Sequence, residues 1–257
     1  MLLAIDIGNS TIYFGGIENG EVNKTFRIRT EKNKLADEYV ILIKESLEIN
    51  FDINCFDGAI ISSVVPEITE EIEKAIYKIL NIKAVVVKRD VDAPFKIVSE
   101  CLRDLGADLI ADSAGAMSKY SCPIMILDMG TATTCTVINR NSEFCGGMIC
   151  PGLKTGARAL ISAASQLGEF TLGNPKEAVG IKTTECINAG VIYGHSAMIN
   201  GLRKRVEEET NEKYTVVITG GNSDYVIDYI DKDIVQDKNL IFYGLNELYK
   251  KHINGMG

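Results

Sequence analysis

The amino-acid sequence predicts an α/β protein made of two copies of one lobe. An apolar strand ending in Asp6-x-Gly8 opens the chain, and a strand of the same character ends in Asp128-x-Gly130 near its middle. Short hydroxyl-bearing residues follow each strand, and each copy then leads into β-rich segments separated by a turn sequence, such as Glu18-Asn19-Gly20. Helical and strand patterns alternate after both copies, as in sheets covered by helices. Two copies of this strand-and-turn motif, each followed by the same order of elements, indicate a duplicated lobe.

Apolar periodicity assigns the remaining elements of each half. In the first half it predicts helices over residues 36–48 and 68–80, and strands over residues 58–65 and 83–88. In the second half it predicts helices over residues 153–167 and 183–210, a strand over residues 214–219, and helices near 222–230 and 239–252. A helix over residues 107–120 is predicted to bridge the lobes, which divides the chain into an N-terminal lobe of residues 1–115 and a C-terminal lobe of residues 116–257.

Composition and charge exclude several classes of function. The chain has 257 residues, of which 46% are hydrophobic and 24% charged, so it can bury a sizeable core. Its formal net charge of −8 argues against nonspecific binding to nucleic acid or anionic membranes, which need basic surface. The basic triplet Arg203-Lys204-Arg205 precedes three glutamates in a predicted helix, so we interpret it as a solvated face.

Membrane, secretion and metal signals are weak. No stretch reaches the roughly 18–20 apolar residues of a membrane span, and Asp6 follows Met1 too closely for a signal peptide, so we expect a cytoplasmic protein. The seven cysteines are odd in number and form no Cys-x-x-Cys pair, and the chain has only two histidines. We therefore expect partly buried, reduced thiols and no zinc site.

The two Asp-x-Gly turns suit the binding of phosphate groups. A glycine after the aspartate lets the backbone turn sharply and bring its N–H groups close to a phosphate, and Asn9, Ser10 and Thr11 add short donors. A carboxylate is repelled by phosphate, so Asp6 is expected to act through Mg²⁺ or its water shell. The threonine-rich loop after Asp128 is expected to hold the remaining phosphates. Phosphoryl transfer depends on such positioning, although an ordinary strand-ending turn is the alternative for either aspartate.

Further glycine segments fit the same chemistry and also allow structural explanations. Gly106-Ala107-Asp108 opens a helix, where Asp108 is either a cap that stabilises the helix dipole or a carboxylate that orients an attacking hydroxyl. Residues 146–152 end a strand and open a helix, and Thr219-Gly220-Gly221 follows an apolar strand where backbone can approach a nucleotide. A tight strand-to-helix turn is the alternative for both.

The order of these motifs resembles the type III pantothenate kinases, a family of the actin-like ATPase and sugar-kinase superfamily. The resemblance extends along nearly the whole chain and is carried by Asp6-Ile-Gly-Asn-Ser-Thr, Ser62-Ser-Val-Val-Pro66, Gly106-Ala-Asp108, Asp128-Met-Gly-Thr-Ala-Thr-Thr134, Gly146-Gly-Met-Ile-Cys-Pro-Gly152, Val179-Gly-x-x-Thr183 and Thr219-Gly-Gly221. It implies two duplicated actin-like, ribonuclease H-like lobes with a nucleotide cleft between them. It also implies ATP-dependent phosphorylation of pantothenate, the first step toward coenzyme A, by a homodimer that needs Mg²⁺ and a monovalent cation such as K⁺ or NH₄⁺.

The resemblance gives each motif an expected role. The residues expected to bind ATP are Asp6, Ile7, Gly8, Asn9, Ser10, Thr11, Ile12, Tyr13 and Thr131. Asp108 is expected to be the catalytic base, Asp128 to bind the monovalent cation and Asp6 to engage Mg²⁺ through water. The residues expected to contact pantothenate are Gly106, Ala107, Asp108, Leu109 and Thr183.

The chain departs from the family pattern on the substrate side. Leu109 stands where the family has arginine, and residues 99–102 replace its Tyr-x-Asn-Pro. Ile161 and Ala163 align with an aromatic or histidine and with an arginine. The phosphate loops look intact, whereas these positions have lost aromatic or polar character.

The missing arginine bears on the choice of substrate. Leu109 donates no hydrogen bond to a carboxylate or amide, so we expect this chain to use pantothenate less well than other members, and Leu109→Arg to improve it. Alternatively, Lys154 or Arg158 reaches the substrate while Leu109 packs against a helix. Three functions stay open at this point: a pantothenate kinase, a paralogue that phosphorylates another small hydroxyl compound, and a nucleotide-binding regulator or partner subunit.

Overall fold

The computed structural model describes residues 1–98, 105–163 and 171–255, and the chain forms two compact units. One unit contains Met1–Lys119 and Asn239–Gly257, and the other contains Tyr120–Lys238. The division differs from the predicted lobes in two respects: the first boundary follows Lys119 rather than residue 115, and the C-terminal helix belongs to the first unit.

The sheet of the first unit is built around the strand that contains Asp6. Its strands are β1 (Leu2–Ile7), β2 (Thr11–Glu18), β3 (Glu21–Arg29), β4 (Gly58–Ser63) and β5 (Val85–Val86), in the order β3-β2-β1-β4-β5. The first three form an antiparallel meander, and Asn19 and Gly20 take the positive φ angles that a tight hairpin turn requires. β4 runs parallel to β1, and β5 parallel to β4. The helices of this unit are α1 (Ala36–Asn50), α2 (Pro66–Leu80), α3 (Ala107–Lys119) and α6 (Leu240–Gly255), and a short strand, β6 (Lys96–Ile97), precedes α3.

The second unit repeats this topology. Its strands are β7 (Ile124–Met129), β8 (Ala132–Ile138), β9 (Glu143–Pro151), β10 (Thr215–Thr219) and β11 (Val235–Gln236), and its helices are α4 (Leu153–Ala163) and α5 (Thr183–Thr210). The strands follow the order β9-β8-β7-β10-β11, with an antiparallel meander first and then two parallel strands. Strand for strand, this is the order of the first sheet, which confirms the predicted duplication.

Alternation along β1 divides its side chains between two layers. Leu3 and the other odd-numbered residues lie in a buried cluster with side chains of α1 and α2. The even-numbered residues Ala4 and Asp6 therefore face the opposite layer. Gly15, which pairs with Ala4 across the β1–β2 ladder, lies against the ring of Phe242 on α6, so this opposite layer is formed by α6 and the helix packed on it, α3.

Two glycines bring α3 and α6 into close contact. A Cβ atom at Gly244 of α6 would collide with the carbonyl oxygen of Ala111 on α3, and one at Gly115 would collide with that of Leu240. Backbones that approach this closely leave no room for side chains at the crossing point. The contact explains why the last helix of the chain belongs to the first unit.

The prediction of a helix near residues 222–230 is wrong. In its place the chain forms two short 3₁₀ turns, Ser223–Tyr225 and Ile227–Tyr229. The Ser223 hydroxyl donates to the carbonyl oxygen of Gly220 at 2.8 Å, and the Asn222 side chain donates to a neighbouring loop at 2.9 Å. The Ser223 bond is local, and such side-chain-to-backbone bonds compete with a regular helix, whereas the Asn222 bond reaches a loop far away in the sequence.

The interpretation of the basic triplet is correct for two residues and wrong for the third. The side chains of Lys204 and Arg205 are 77% and 74% exposed and pair with glutamates four residues later. The side chain of Arg203 is only 13% exposed and makes two contacts of 2.6 Å with Asp233 and one of 3.3 Å with Glu207. Arg203 therefore ties α5 to the loop before β11 rather than facing solvent.

Two further predictions concern membrane-spanning segments and the state of the cysteines. In the described ranges no helix combines the length and the apolar character needed to cross a membrane. The six cysteines in these ranges are free thiols, and Cys101 lies outside them.

Gly244→Ala is expected to lower the free energy of unfolding by about 1–3 kcal/mol, the usual cost of forcing extra atoms into a packed core. The added methyl group would collide with a carbonyl oxygen of α3, so the two helices would have to separate. Urea unfolding followed by circular dichroism measures the change. The control is Gly201→Ala on α5, where a Cβ meets no atom within 4 Å, and its stability should stay unchanged or rise by up to about 1 kcal/mol. Equal stability of the two variants would contradict a tight α3–α6 contact.

Candidate functional site

The turn between β1 and β2 forms the first loop of the candidate site. Gly8 donates its backbone N–H to the carbonyl oxygen of Thr11 at 3.0 Å, which closes the turn. Thr30, at the end of β3, holds the loop: its hydroxyl donates to the carbonyl oxygen of Gly8 at 2.6 Å and its N–H to that of Ser10 at 3.2 Å. Asn9, Ser10 and Thr11 are exposed. The loop therefore presents a fixed group of short polar residues on which an anion can bind.

Asp6 lies beside Ser62 at the carboxyl end of the parallel pair β1–β4. The Asp6 side chain is half-buried, whereas the Ser62 hydroxyl is fully buried and has no hydrogen-bond partner within the described ranges. Just beyond this pair, Val64 donates its N–H to the carbonyl oxygen of Ile7 at 3.1 Å. The loops that follow β1 and β4 are thus tied together at one edge of the sheet.

Asp108 lies in the first turn of α3 and folds back over Gly106. The first hydrogen bond of the helix runs from the N–H of Ile110 to the carbonyl oxygen of Gly106 at 3.2 Å, and Asp108 Oδ1 accepts the N–H of Leu109 at 2.8 Å. A Cβ at Gly106 would collide with the Asp108 carboxylate and would lie 3.7 Å from Val64 on the loop after β4. Glycine at this position therefore allows the carboxylate to lie beside the same sheet edge as Asp6.

Burial raises the pKa of the Asp108 carboxyl above its ordinary value. The N–H groups of Leu109 and of Asp108 itself, and the positive charge of Lys88, lower the pKa but do not offset the desolvation. A carboxylate with a raised pKa holds a proton more readily than an exposed one. This property suits a general base that acts near neutral pH.

In the second unit, two loops meet at the end of β7. Asp128 lies beside Thr219 in the parallel pair β7–β10. Gly220 has a φ of +86° and passes so close that a Cβ there would collide with the Asp128 carboxylate. Asn222 then donates its side-chain N–H to the carbonyl oxygen of Gly130 at 2.9 Å. The glycine loop after β10 therefore packs directly on the Asp-x-Gly turn.

A third loop, between β9 and α4, completes this arrangement. Gly152 packs against the carbonyl oxygen of Thr131, where a Cβ would collide, and the Thr155 hydroxyl donates to the same oxygen at 2.7 Å. His195 of α5 contacts the carbonyl oxygen of Pro151 at 3.2 Å, and burial lowers the pKa of its imidazole. Thr131 is thus held by its backbone while its residue stays exposed.

The substrate-side positions belong to several different elements. Thr183 begins α5 and is exposed, and Leu109 is half-buried with its N–H bound to Asp108. Ile161 and Ala163 lie in the last turn of α4. The altered segment of residues 99–102 lies outside the described residues.

Several residues that shape these loops were not identified from the sequence. Thr30 and Thr155 act through contacts with distant parts of the chain, and nothing in their local sequence indicates this. Asn222 directly follows the glycine pair after β10, a segment that the sequence did indicate, but its contact with Gly130 was not predicted. Lys88, whose charge acts on Asp108, lies in a segment predicted only as a strand.

The resemblance implies Mg²⁺ and a monovalent cation, and the oxygen donors of the two Asp-x-Gly turns are the groups that would hold them. Within the described ranges, no group of three or more His, Cys, Asp or Glu side chains could hold a metal ion. Mg²⁺ in nucleotide sites commonly takes one or two carboxylates and completes its shell with phosphate oxygens and water, so a single Asp6 beside a phosphate loop fits. The Asp128 carboxylate lies against the backbone of Gly220, and a carboxylate is an oxygen ligand of the kind that hard cations accept.

Comparison with known proteins gives consistent results along the chain. A family model described as type III pantothenate kinase matches residues 2–205. A protein named type III pantothenate kinase from Acholeplasma laidlawii (strain PG-8A) is 36% identical over 253 residues, which cover 98% of this chain and 100% of that protein. One of the same name from Bacillus cytotoxicus is 34% identical over 253 residues, covering 98% and 97%.

A solved structure matches the fold. The activator of the 2-hydroxyisocaproyl-CoA dehydratase from Clostridium difficile, with bound ADPNP, superposes with a TM-score of 0.58 at 11% identity, covering 99% of this chain and 96% of that chain. Together with the repeated sheet topology, this likeness confirms the predicted α/β fold of duplicated actin-like lobes.

Gly220→Ala is expected to weaken nucleotide binding, because the added methyl group would displace the Asp128 carboxylate. The left-handed backbone at this position would also cost an alanine about 1–2 kcal/mol of stability. Gly190→Ala on α5 is the control, since a Cβ there meets no atom within 4 Å. Calorimetric titration with ADP and thermal unfolding compare the two variants. Equal affinity and equal melting temperature would show that the close packing of the two loops does not matter.

Proposed function

This chain belongs to the type III pantothenate kinase family, and from that premise we propose that it transfers the γ-phosphoryl group of ATP to the terminal hydroxyl of pantothenate. The observation that supports this most is the buried carboxylate of Asp108, which lies at the sheet edge that also carries the Asp6 loop. A base and a phosphate-binding loop are two parts that such a transfer needs. The product is 4′-phosphopantothenate, on the way to coenzyme A.

The direct test is an assay of ADP release by the purified protein with ATP, Mg²⁺ and pantothenate. Turnover that depends on pantothenate supports the proposal. Turnover of other small alcohols but not of pantothenate would favour the paralogue instead. Nucleotide binding without any turnover would favour a regulator or partner subunit.

The first loop is assigned to the phosphates of ATP. The exposed groups of Asn9, Ser10 and Thr11 are donors, while Thr30 fixes the loop so that these donors need little reordering on binding. The carboxylate of Asp6 is the group that would hold Mg²⁺, directly or through water. Bound there, Mg²⁺ would supply neutralisation of the charge on the phosphate oxygens.

Asp108 is assigned as the base. Its carboxylate accepts the proton of the acceptor hydroxyl as the hydroxyl oxygen attacks the γ-phosphorus, and ADP leaves on the opposite side. Gly106 and Ala107 begin the helix that positions it, and the N–H of Leu109 orients Oδ1 at 2.8 Å. Because this hydrogen bond holds one oxygen, the other oxygen is the one assigned to the substrate.

Asp108→Asn is expected to lower kcat by roughly 10²- to 10⁴-fold and to leave ATP affinity unchanged. The pKa of Asp108 is higher in the folded protein than in the unfolded chain. The protonated carboxyl therefore contributes to the folding stability at low pH, and this contribution is lost as the pH rises through the folded-state pKa. The neutral asparagine should therefore make the protein at least as stable as wild type at pH 7. In the wild type, the acid limb of kcat/KM should lie above the ordinary aspartate pKa of about 3.9.

The control for this variant is Asp37→Asn, which neutralises an exposed acidic residue in the first turn of α1. It should leave turnover unchanged. If Asp108→Asn retains most of the wild-type activity, Asp108 is only a helix cap.

The loop of the second unit is assigned to ATP and to a monovalent cation. Thr131 supplies an exposed hydroxyl from a backbone fixed by Gly152 and Thr155. Asp128 is the group that would hold K⁺ or NH₄⁺. Its support is the carboxylate at a strand end, packed against a glycine loop whose backbone leaves no room for a side chain.

Asp128→Asn is expected to reduce the activation of turnover by K⁺, because a neutral amide attracts the cation less than a carboxylate does. The measurement is the rate against KCl concentration, with ionic strength held constant by a bulky organic cation. Asp228→Asn, at an exposed site in the same unit, is the control. A K⁺ response identical to that of wild type would remove Asp128 from the cation site.

Substrate contacts and assembly complete the proposal. Leu109 and Thr183 are assigned to pantothenate with the residues at the start of α3. Val179 and Ile181 are 83% and 94% exposed, and such apolar side chains are typical of a surface that a second copy covers, which supports a homodimer. Light scattering over a wide range of protein concentrations tests this. A mass equal to that of one chain at every concentration would reject the homodimer.

A further inference from the structure

We propose that Lys88 is an anion-binding residue of the active site, which holds an anionic oxygen of a reactant beside Asp108. The inference rests on the proposed kinase function and adds a residue to it. Lys88 comes from the end of β5, a different element from the one that carries the base. Its role is to supply the positive charge that Leu109 does not.

The position of Lys88 follows from the strand register. β5 is parallel to β4, with Ile61 opposite Val86, and the N–H of Val87 continues the ladder to the carbonyl oxygen of Ile61 at 2.9 Å. Lys88 lies two residues after Val86, in the turn with which the chain leaves the sheet at the end where β4 also ends. Neighbouring strands lie about 4.8 Å apart, so Lys88 leaves the sheet at the edge that carries the β4 loop.

The same edge carries Asp108. Gly106, which lies under the Asp108 carboxylate, has Val64 of the β4 loop as a neighbour at 3.7 Å from its Cβ position. The loops after β4 and β5 and the start of α3 are therefore adjacent. Consistent with this arrangement, the Lys88 charge lowers the pKa of Asp108, although burial has the larger and opposite effect.

The backbone of Lys88 is unusual. Its φ is +71°, a left-handed conformation that residues with a Cβ rarely adopt and that glycine would adopt without strain. The N–H of Lys88 donates to the carbonyl oxygen of Val91 at 2.8 Å, which closes a tight loop. Residues held in such conformations cluster at functional sites, which favours a role for this lysine.

The next residue shows that the charge is not simply part of a surface network. Arg89 turns toward α2 and binds Glu73 with contacts of 2.9 and 2.6 Å. Lys88 is exposed and makes no ion pair with any residue in the described ranges. The two adjacent cations therefore do different things: Arg89 is engaged by carboxylates, and Lys88 remains available to a ligand.

Two reactants carry suitable oxygens. Pantothenate has a carboxylate, and ATP has γ-phosphoryl oxygens next to the attacked phosphorus. An ammonium group binds either one as a compact point charge with three donors. The shared chemistry is a charge-assisted hydrogen bond to an anionic oxygen, and the two sources can be separated by the choice of substrate.

The main variant is Lys88→Gln, with Lys88→Arg as the conservative change. Losing a hydrogen bond to a charged group should lower kcat/KM by roughly 10- to 150-fold in Lys88→Gln, and Lys88→Arg should retain most of the activity. The acid limb of the kcat/KM profile should also move to higher pH in Lys88→Gln, because the cation no longer lowers the pKa of Asp108. A purely structural role of Lys88 would not move this limb.

Two further variants separate charge from folding. Lys88→Gly relieves the left-handed conformation, so it should fold at least as well as wild type and still lose activity as Lys88→Gln does. Lys83→Gln removes an exposed lysine at the other end of β5 and should leave activity unchanged.

The source of the anion is found by comparing pantothenate with pantothenol, its neutral alcohol. A loss in Lys88→Gln with pantothenate only assigns the contact to the acceptor carboxylate. An equal loss with both acceptors, together with weaker binding of a non-hydrolysable ATP analogue but not of ADP, assigns it to the γ-phosphoryl group. Wild-type rates and an unchanged pH profile in Lys88→Gln would overturn the inference, as would equal losses in Lys88→Gln and Lys88→Arg.

The experiment also distinguishes failure of the function from failure of the inference. If wild-type protein does not phosphorylate pantothenate, the proposed function is rejected, and calorimetry with the ATP analogue and ADP then decides the role of Lys88. Selective loss of affinity for the triphosphate in Lys88→Gln supports an anion-binding role. Equal affinities in wild type and Lys88→Gln overturn it.

Discussion

The parallel pairing of the first and fourth strands in each sheet is the constraint on which the rest of the structure depends. It places Asp6 beside Ser62 and Asp128 beside Thr219, each pair at the carboxyl end of two parallel strands. Because both strand ends lie at one edge, the turn after the first strand and the loop after the fourth must lie together. A shift of the register by one residue would move each aspartate to the other face of its sheet. The chemistry of both units therefore follows from hydrogen bonding between backbones.

The two units use this constraint differently. In the second unit the loop after β10 is glycine-rich and packs its backbone against the Asp128 carboxylate. In the first unit the loop after β4 leads into a helix, and the approach is made instead by the start of α3, where Gly106 admits Asp108. The same sheet topology thus places backbone against the Asp128 carboxylate in the second unit and brings a further carboxylate, Asp108, to the sheet edge in the first unit. The proposed base, Asp108, belongs to the unit that has no glycine loop after its fourth strand.

Burial of Asp108 opposes stability and serves the proposed chemistry. Desolvation destabilises its charged form, and the donors at the start of α3 recover only part of that cost, so the pKa is raised. A fully exposed carboxylate would be more stable as an anion and a weaker base. The close α3–α6 contact at Gly115 and Gly244 fixes the helix that carries this group, so the packing of the last helix stabilises a position that electrostatics alone disfavours.

The sequence predicted the long, periodic elements well. The bounds of α5 agree at both ends. β1 and β7 were recognised because each is a continuous apolar run that ends at an Asp-x-Gly turn. The Asp-x-Gly turns and the Asp108 segment were also identified, since each combines a strand or helix boundary with residue types that bind phosphate or protons. What these residues do chemically stays a prediction.

Elements fixed by distant contacts were predicted less well. β5 is two residues long where six were expected. Residues 222–230 form 3₁₀ turns, and Asn222 there bonds to the carbonyl oxygen of Gly130, which is distant in the sequence. The assignment of α6 to the first unit depends on a glycine crossing with α3 that lies far away in the sequence. No local pattern carries such information.

In the proposed site, Lys88 provides from the turn after β5 the positive charge that Leu109 does not provide. Residue 109 lies in the first turn of α3, where the helix dipole is positive and a cation is disfavoured. An arginine there would be held against that field and beside the Asp108 carboxylate, whose pKa it would lower. Lys88 supplies the same sign of charge from the end of β5, outside the helix, and Leu109 is then free to stay half-buried at the start of α3. Because electrostatic attraction depends on distance rather than on connectivity, a substrate anion can be neutralised from either element, and the residue at one motif position does not by itself decide what the pocket binds.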